Sequence, residues 1–212
     1  MRFLLSNLAS TTRQIPTLEV TPNLAQPWKR WQQAKITLTM HFEKLEKAPL
    51  SGEYYEKHFG NVDANSLWMK FYSDDKEPWI GSFKNGGFKI ENQRFFENNS
   101  KKQVAILKNG AFYIINYDSK ELIFHPDDDD FIDFKINPES NQIFLATFSG
   151  ICIYEDYLLK KEISPELIDG IRFKGINNGK LIGEIYEPGL DWSEFELNTN
   201  TLVLKWGKYE FK

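Results

Sequence analysis

Three stretches of this chain echo one another, and that repetition constrains the fold more than any other feature. VAILKNGAFYIINYDSKELIF begins at Val104, IFLATFSGICIYEDYLLKKEI at Ile143, and the looser KLIGEIYEPGLDWSEFELNTNTLVL at Lys180. Each reads as an apolar strand, a turn holding glycine, an aromatic-rich strand, a polar turn and a third strand. Gly110 and Gly150 stand 40 positions apart, and Gly189 follows 39 later. Aromatic residues make up 15% of the chain, a composition that suits packed sheet faces. A period of roughly 40 residues with three or four short strands per unit marks a repeat architecture.

The segment FIDFKINPESNQIFLATFSGICIYED sharpens this. A strand from Phe131 to Ile136 leads into a turn at Asn137, Pro138 and Glu139. A second strand follows, then Ser149-Gly150, then a strand closing on the acidic pair Glu155-Asp156. The order resembles the blade pattern of bacterial β-propeller repeat proteins, over roughly residues 104–204. The Trp-Asp and Gly-His markers of the best-known blade type are absent. The resemblance implies an all-β fold of antiparallel blade-like sheets, a small or incomplete β-propeller. The 178 residues from Lys35 to Lys212 amount to about four blades of roughly 40 to 45 residues each. An open run of blade-like sheets and an antiparallel sandwich are the alternatives. The expected organisation is an N-terminal arm over 1–34 and one β-rich domain over 35–212.

The first hundred residues follow the period less clearly. Pro16, Pro22 and Pro27 punctuate an irregular lead-in, with a short helix expected from Trp28 to Gln33. In KITLTMHFEKL, Ile36, Leu38, Met40 and Phe42 alternate with polar residues, which favours a strand over the helical spacing also present. EYYEKHFGNV reads as a short helix ended by Gly60. LWMKFYSDDKEPWIGSF reads as strand, turn, strand, and Gly86-Gly87 as a hairpin turn. The apolar run after Arg2 is broken by Ser6 and Asn7, short for a signal peptide. No run reaches membrane-spanning length. A single cysteine, Cys152, excludes an intramolecular disulfide and suits a reducing compartment. The expected location is cytoplasmic, with no membrane partner.

The chemistry is sparse. A net charge of −4 supplies no basic field for nucleic acid. His41, His58 and His125 lack metal-ligand spacing, and no serine-nucleophile or phosphate-loop motif occurs. No catalytic residue, metal or cofactor is assigned. Cys152 lies in an apolar strand and reads as a buried small hydrophobe. The conspicuous motif is HPDDDDF, His125 to Phe131. Adjacent strand residues point to opposite faces, so four consecutive aspartates do not converge on one ion. The run reads as a solvated turn, and next as a surface for a basic partner.

These features point to a non-enzymatic protein-binding module. By analogy, an immunity protein neutralising a basic toxin is such a case. The contact residues expected are Asp127, Asp128, Asp129 and Asp130, and after them Tyr54, Tyr55 and Glu187. Two rival readings remain. One is a carbohydrate-active hydrolase using Glu187, Asp191 or Glu194 as paired carboxylates. The other is a structural scaffold.

Overall fold

In a computed structural model, residues 41–73, 76–88, 91–166, 168–207 and 209–211 are described. The arm over 1–34, the Trp28–Gln33 helix and the Ile36–Met40 strand expected from sequence lie outside them. Among these residues seventeen strands form four sheets. The first sheet holds β1 (Phe42–Leu45), β2 (Tyr55–Phe59), β3 (Leu67–Ser73) and β4 (Lys76–Phe83), in the order β1-β3-β4-β2. The second is a meander of β5 (Gln93–Asn98), β6 (Gln103–Lys108), β7 (Ala111–Asn116) and β8 (Glu121–Phe124). The third is β9 (Asp133–Asn137), β10 (Gln142–Ala146), β11 (Ile151–Glu155) and β12 (Leu158–Ile163). The fourth adds a fifth strand: β13 (Ile171–Asn177), β14 (Lys180–Tyr186), β15 (Trp192–Asn198), β16 (Leu204–Trp206) and β17 (Tyr209–Phe211). Every pairing is antiparallel except β2 against β4. The fold is all-β, and among the described residues there is no α-helix.

Strand periodicity explains how the sheets stack. Successive side chains of a strand leave by opposite faces. In β6, Val104 and Ile106 enter a core shared with the first sheet, while Ala105 and Leu107 enter one shared with the third. In β10, Ile143 and Leu145 face the second sheet, and Phe144 and Ala146 face the fourth. The middle sheets are therefore apolar on both sides, so their strands read as unbroken hydrophobic runs. Each fully buried Ile or Phe contributes about 1.5–3 kcal/mol. The fourth sheet breaks the pattern. Its far face carries Lys174 with Glu184 and Glu194, and Lys180 with Glu196, as ion pairs of 2.6–3.1 Å. That face is solvated, and no further sheet covers it among the described residues.

Turn chemistry sets the registers. Asn109 (φ 50°) and Gly110 (φ 105°) join β6 to β7 with both central residues left-handed, as tight hairpins that match strand twist require. Gly110, Gly150 and Gly189 each lie in the link between the second and third strands of their sheets.

Two sequence expectations are corrected. The helix expected at EYYEKHFGNV is strand β2. Phe59 stacks on Phe83, with ring centres 4.9 Å apart, and the segment pairs in parallel with β4. Gly60, at φ 92°, does end the element. Gly86-Gly87 does not turn a hairpin, because β4 and β5 belong to different sheets. A Cβ on Gly86 would lie 2.3 Å from the Ala111 nitrogen and 2.6 Å from the Asp129 carbonyl oxygen. Close backbone approach, and not turn geometry, requires glycine there.

Candidate functional site

HPDDDDF links β8 to β9, and its backbone is clamped. The Gly87 N–H donates to the Asp129 carbonyl at 3.0 Å, and the Phe131 N–H donates to the Gly110 carbonyl at 3.1 Å. A Cβ on Gly110 would lie 2.1 Å from the Asp129 carbonyl oxygen. His125 stacks on Tyr113 at 4.4 Å and 7°, and its Nδ1 bonds the Phe112 carbonyl at 2.8 Å. The side chains behave differently. Asp127, Asp128 and Asp130 are exposed, and Asp129 lies 3.7 Å from Lys84. Desolvation, then the charge of Asp128, raises the Asp130 carboxyl. Burial, then the Asp129 charge, pushes the Tyr113 hydroxyl up to about 12. The run is thus a fixed loop carrying outward carboxylates.

The other residues singled out from sequence scatter. The Tyr54 hydroxyl accepts from Lys70 Nζ at 2.9 Å, and the same ammonium lies 4.3 Å from the Tyr54 ring centre. Tyr55 is 59% exposed with Lys120 Nζ 4.2 Å from its ring centre. Tyr55 pairs with Trp79 early in β4, whereas Lys84, just past the end of β4, meets Asp129. The two tyrosines therefore sit at the end of the sheets opposite the aspartates. Glu187 lies in the β14–β15 turn, at the same end as the aspartates but in the fourth sheet. It stands beside Tyr186, whose N–H bonds the Gly170 carbonyl at 2.9 Å.

Of the carboxylates considered for hydrolysis, Glu194 bonds Lys174 at 2.8 Å and is lowered first by that bond. Asp191 accepts from the Trp192 N–H at 2.8 Å. His41 bonds Glu97, His58 bonds Ser82 and His125 bonds a carbonyl, at three separate places. Among the described residues no group of three or more His, Cys, Asp or Glu is arranged to hold a metal ion. Cys152 is buried, and desolvation first pushes its thiol up to about 11.

Sequence reasoning missed a cavity of about 670 Å³, built where the first strands of the second, third and fourth sheets meet. Phe88, Ile132, Phe148 and Trp192 form its apolar walls, with Arg94, Asp133 and Arg172 among them. Asp133, with a side chain 2% exposed, ties three sheets together. It accepts from Arg94 Nη1 at 3.0 Å on β5, and from the Phe173 N–H at 2.8 Å on β13. It also accepts from the Phe134 N–H at 2.7 Å on β9. Desolvation raises its carboxyl, and these donors partly offset that. The Arg172 guanidinium stacks 3.7 Å from the Trp192 ring centre, and among the described residues no carboxylate pairs with it. Phe88 and Phe148 meet edge to face at 5.2 Å. A signal for this site was present. Arg94, Asp133 and Arg172 are spaced by 39 and 39, within one residue of the 40 and 39 that separate the turn glycines.

No protein-family model and no curated protein matches the sequence. Among solved structures, one described as a crystal structure of the eukaryotic initiation factor aligns with a TM-score of 0.42 at 12% identity. The alignment covers 70% of this chain and spans 41% of that one.

Proposed function

We propose that this chain is a non-enzymatic protein-binding module. Its sheets act as blades of a small, incomplete β-propeller, and Asp127, Asp128, Asp129 and Asp130 meet a basic partner. The observation that carries this reading is the clamped backbone of the aspartate run, which holds three exposed carboxylates on a fixed loop. A loop already ordered loses less entropy on binding, and a concentrated acidic patch steers and selects a basic surface. The exposed Phe148, paired with Phe88, gives the same end of the sheets an aromatic element of the kind that anchors interfaces. Charged pairs on the far face of the fourth sheet favour an array that stays open there. An immunity protein holding a basic toxin is one instance of this class. The lone cysteine suits the cytoplasm.

The test compares the wild type with the combined variant Asp127→Asn, Asp128→Asn, Asp130→Asn. Co-purifying proteins are compared at low salt and at about 0.5 M, where screening is strong. A basic partner lost both at high salt and in the variant supports the reading. A partner retained equally by the variant removes the aspartates as its contact.

A further inference from the structure

Resting on that reading, we infer that the cavity beside the aspartate run is the anchor pocket for a partner segment that carries an apolar or aromatic side chain flanked by lysine or arginine. Its volume of about 670 Å³ falls within the range of ligand pockets, roughly 300–1,000 Å³. That space exceeds one side chain, so a short stretch of peptide fits.

The cavity borders the Asp129–Asp130 end of the acidic loop. Gly87, whose N–H holds the Asp129 carbonyl, directly precedes the wall residue Phe88, and Ile132 follows the aspartate run by two positions. A side chain entering the cavity therefore brings its neighbours in sequence toward the carboxylates.

Charge selects the occupant. Arg94 is matched by Asp133 within the wall. Of the other charged groups lining the cavity, Glu91, which lies 3.7 Å from Lys44, and Asp169 are exposed acids, and Arg172 is a cation 3.7 Å from the Trp192 ring centre. Asp130, two residues before the wall residue Ile132, adds an exposed carboxylate beside this rim, so an anionic ligand is disfavoured and a cationic segment is attracted. The guanidinium of Arg172 carries N–H donors that suit main-chain carbonyls of a bound peptide. Aromatic side chains are the common anchors in pockets of this kind, and Phe88 and Phe148 offer them an edge-to-face partner.

The experiment uses two capped pentapeptides, lysine-arginine-tryptophan-lysine-arginine and its analogue with alanine at the centre. Each is titrated into the full chain at low salt by calorimetry and by amide chemical-shift mapping. The expected result is at least about tenfold tighter binding of the tryptophan peptide, equivalent to about 1.4 kcal/mol, with shifts centred on Ile132, Phe148 and Gly170. Phe148→Glu, at an exposed turn position, removes the preference for tryptophan. Equal affinity of the two peptides, or shifts confined to Asp127–Asp130, overturns the pocket and leaves the acidic contact standing. Failure of both peptides to bind overturns the pocket and the basic-partner reading together. If Phe148→Glu fails to fold by circular dichroism, the peptide comparison on the wild type decides alone.

Discussion

Asp133 is the most informative residue to remove, because one carboxylate joins three sheets. Asp133→Ala leaves the Phe173 N–H without its acceptor on a buried strand, a loss of about 1–3 kcal/mol. It also frees Arg94. That side chain is 47% exposed, so water re-solvates it, and the pair itself contributes no more than about 1 kcal/mol. The full penalty for breaking a buried ion pair, roughly 3–5 kcal/mol, does not apply. The expected destabilisation is therefore roughly 1–4 kcal/mol. Asp133→Asn keeps one acceptor oxygen and no charge, and costs less than alanine. The pH dependence checks the cause. Desolvation raises the Asp133 carboxyl above its ordinary value, so the folded state holds this proton more tightly than the unfolded chain. Its contribution is greatest below the unfolded value of about 3.9 and is lost as pH rises through the folded value. The advantage of wild type over Asp133→Ala thus grows as pH falls from neutral. Urea unfolding across that range measures it. A loss under about 0.5 kcal/mol, typical of a neutral surface change, refutes the tie between sheets. An advantage that shrinks on acidification refutes the assigned desolvation.

Other predictions follow from single sites. Asp118 accepts from Ser73 at 2.6 Å, then Lys76 at 2.9 Å, with Lys102 at 3.3 Å, and is held below the usual carboxylate range. Its contribution is present above the unfolded value and lost as pH falls, so in urea titrations the advantage of wild type over Asp118→Asn shrinks below about pH 4. A constant difference at all pH values would contradict this. Gly110→Ala meets both a left-handed φ of 105° and the Asp129 carbonyl. It should destabilise by at least about 1–3 kcal/mol and weaken any basic ligand that the aspartate run holds. A wild-type urea midpoint would show that the loop relaxes freely. Cys152 should resist a thiol-specific disulfide reagent in the folded protein and react on unfolding, since burial pushes its thiol up to about 11. Prompt labelling of the native protein is the opposing outcome.

Much of the fold was legible because strand and turn signals are local. Asn109-Gly110 turned the chain as expected, and the apolar runs at Val104 and Ile143 became strands buried on both faces. The failures were decided by distant residues. Tyr55, Lys57 and Phe59 fit either a short helix or a strand edge, and pairing with β4 chose the strand. Gly86-Gly87 looked like a turn, but the constraint on it comes from Asp129, more than forty residues away. No local pattern carries that information.

The cavity was missed for a different reason, and the period explains both its existence and its open chemistry. Arg94, Asp133 and Arg172 recur every 39 residues, each at the first or second position of the first strand in its sheet. In a stack of similar sheets, equivalent positions on neighbouring first strands come together, so a period in sequence becomes a cluster in space. Arg94 meets Asp133 from the next sheet. Arg172 occupies the same position in the fourth sheet, where the far face is solvated by ion pairs of its own. With no acidic residue from a following first strand among the described residues, its guanidinium rests on Trp192. Two arginines of one period thus meet different surroundings: Arg94 is matched to the Asp133 carboxylate, while Arg172 stands against an aromatic ring in the cavity wall.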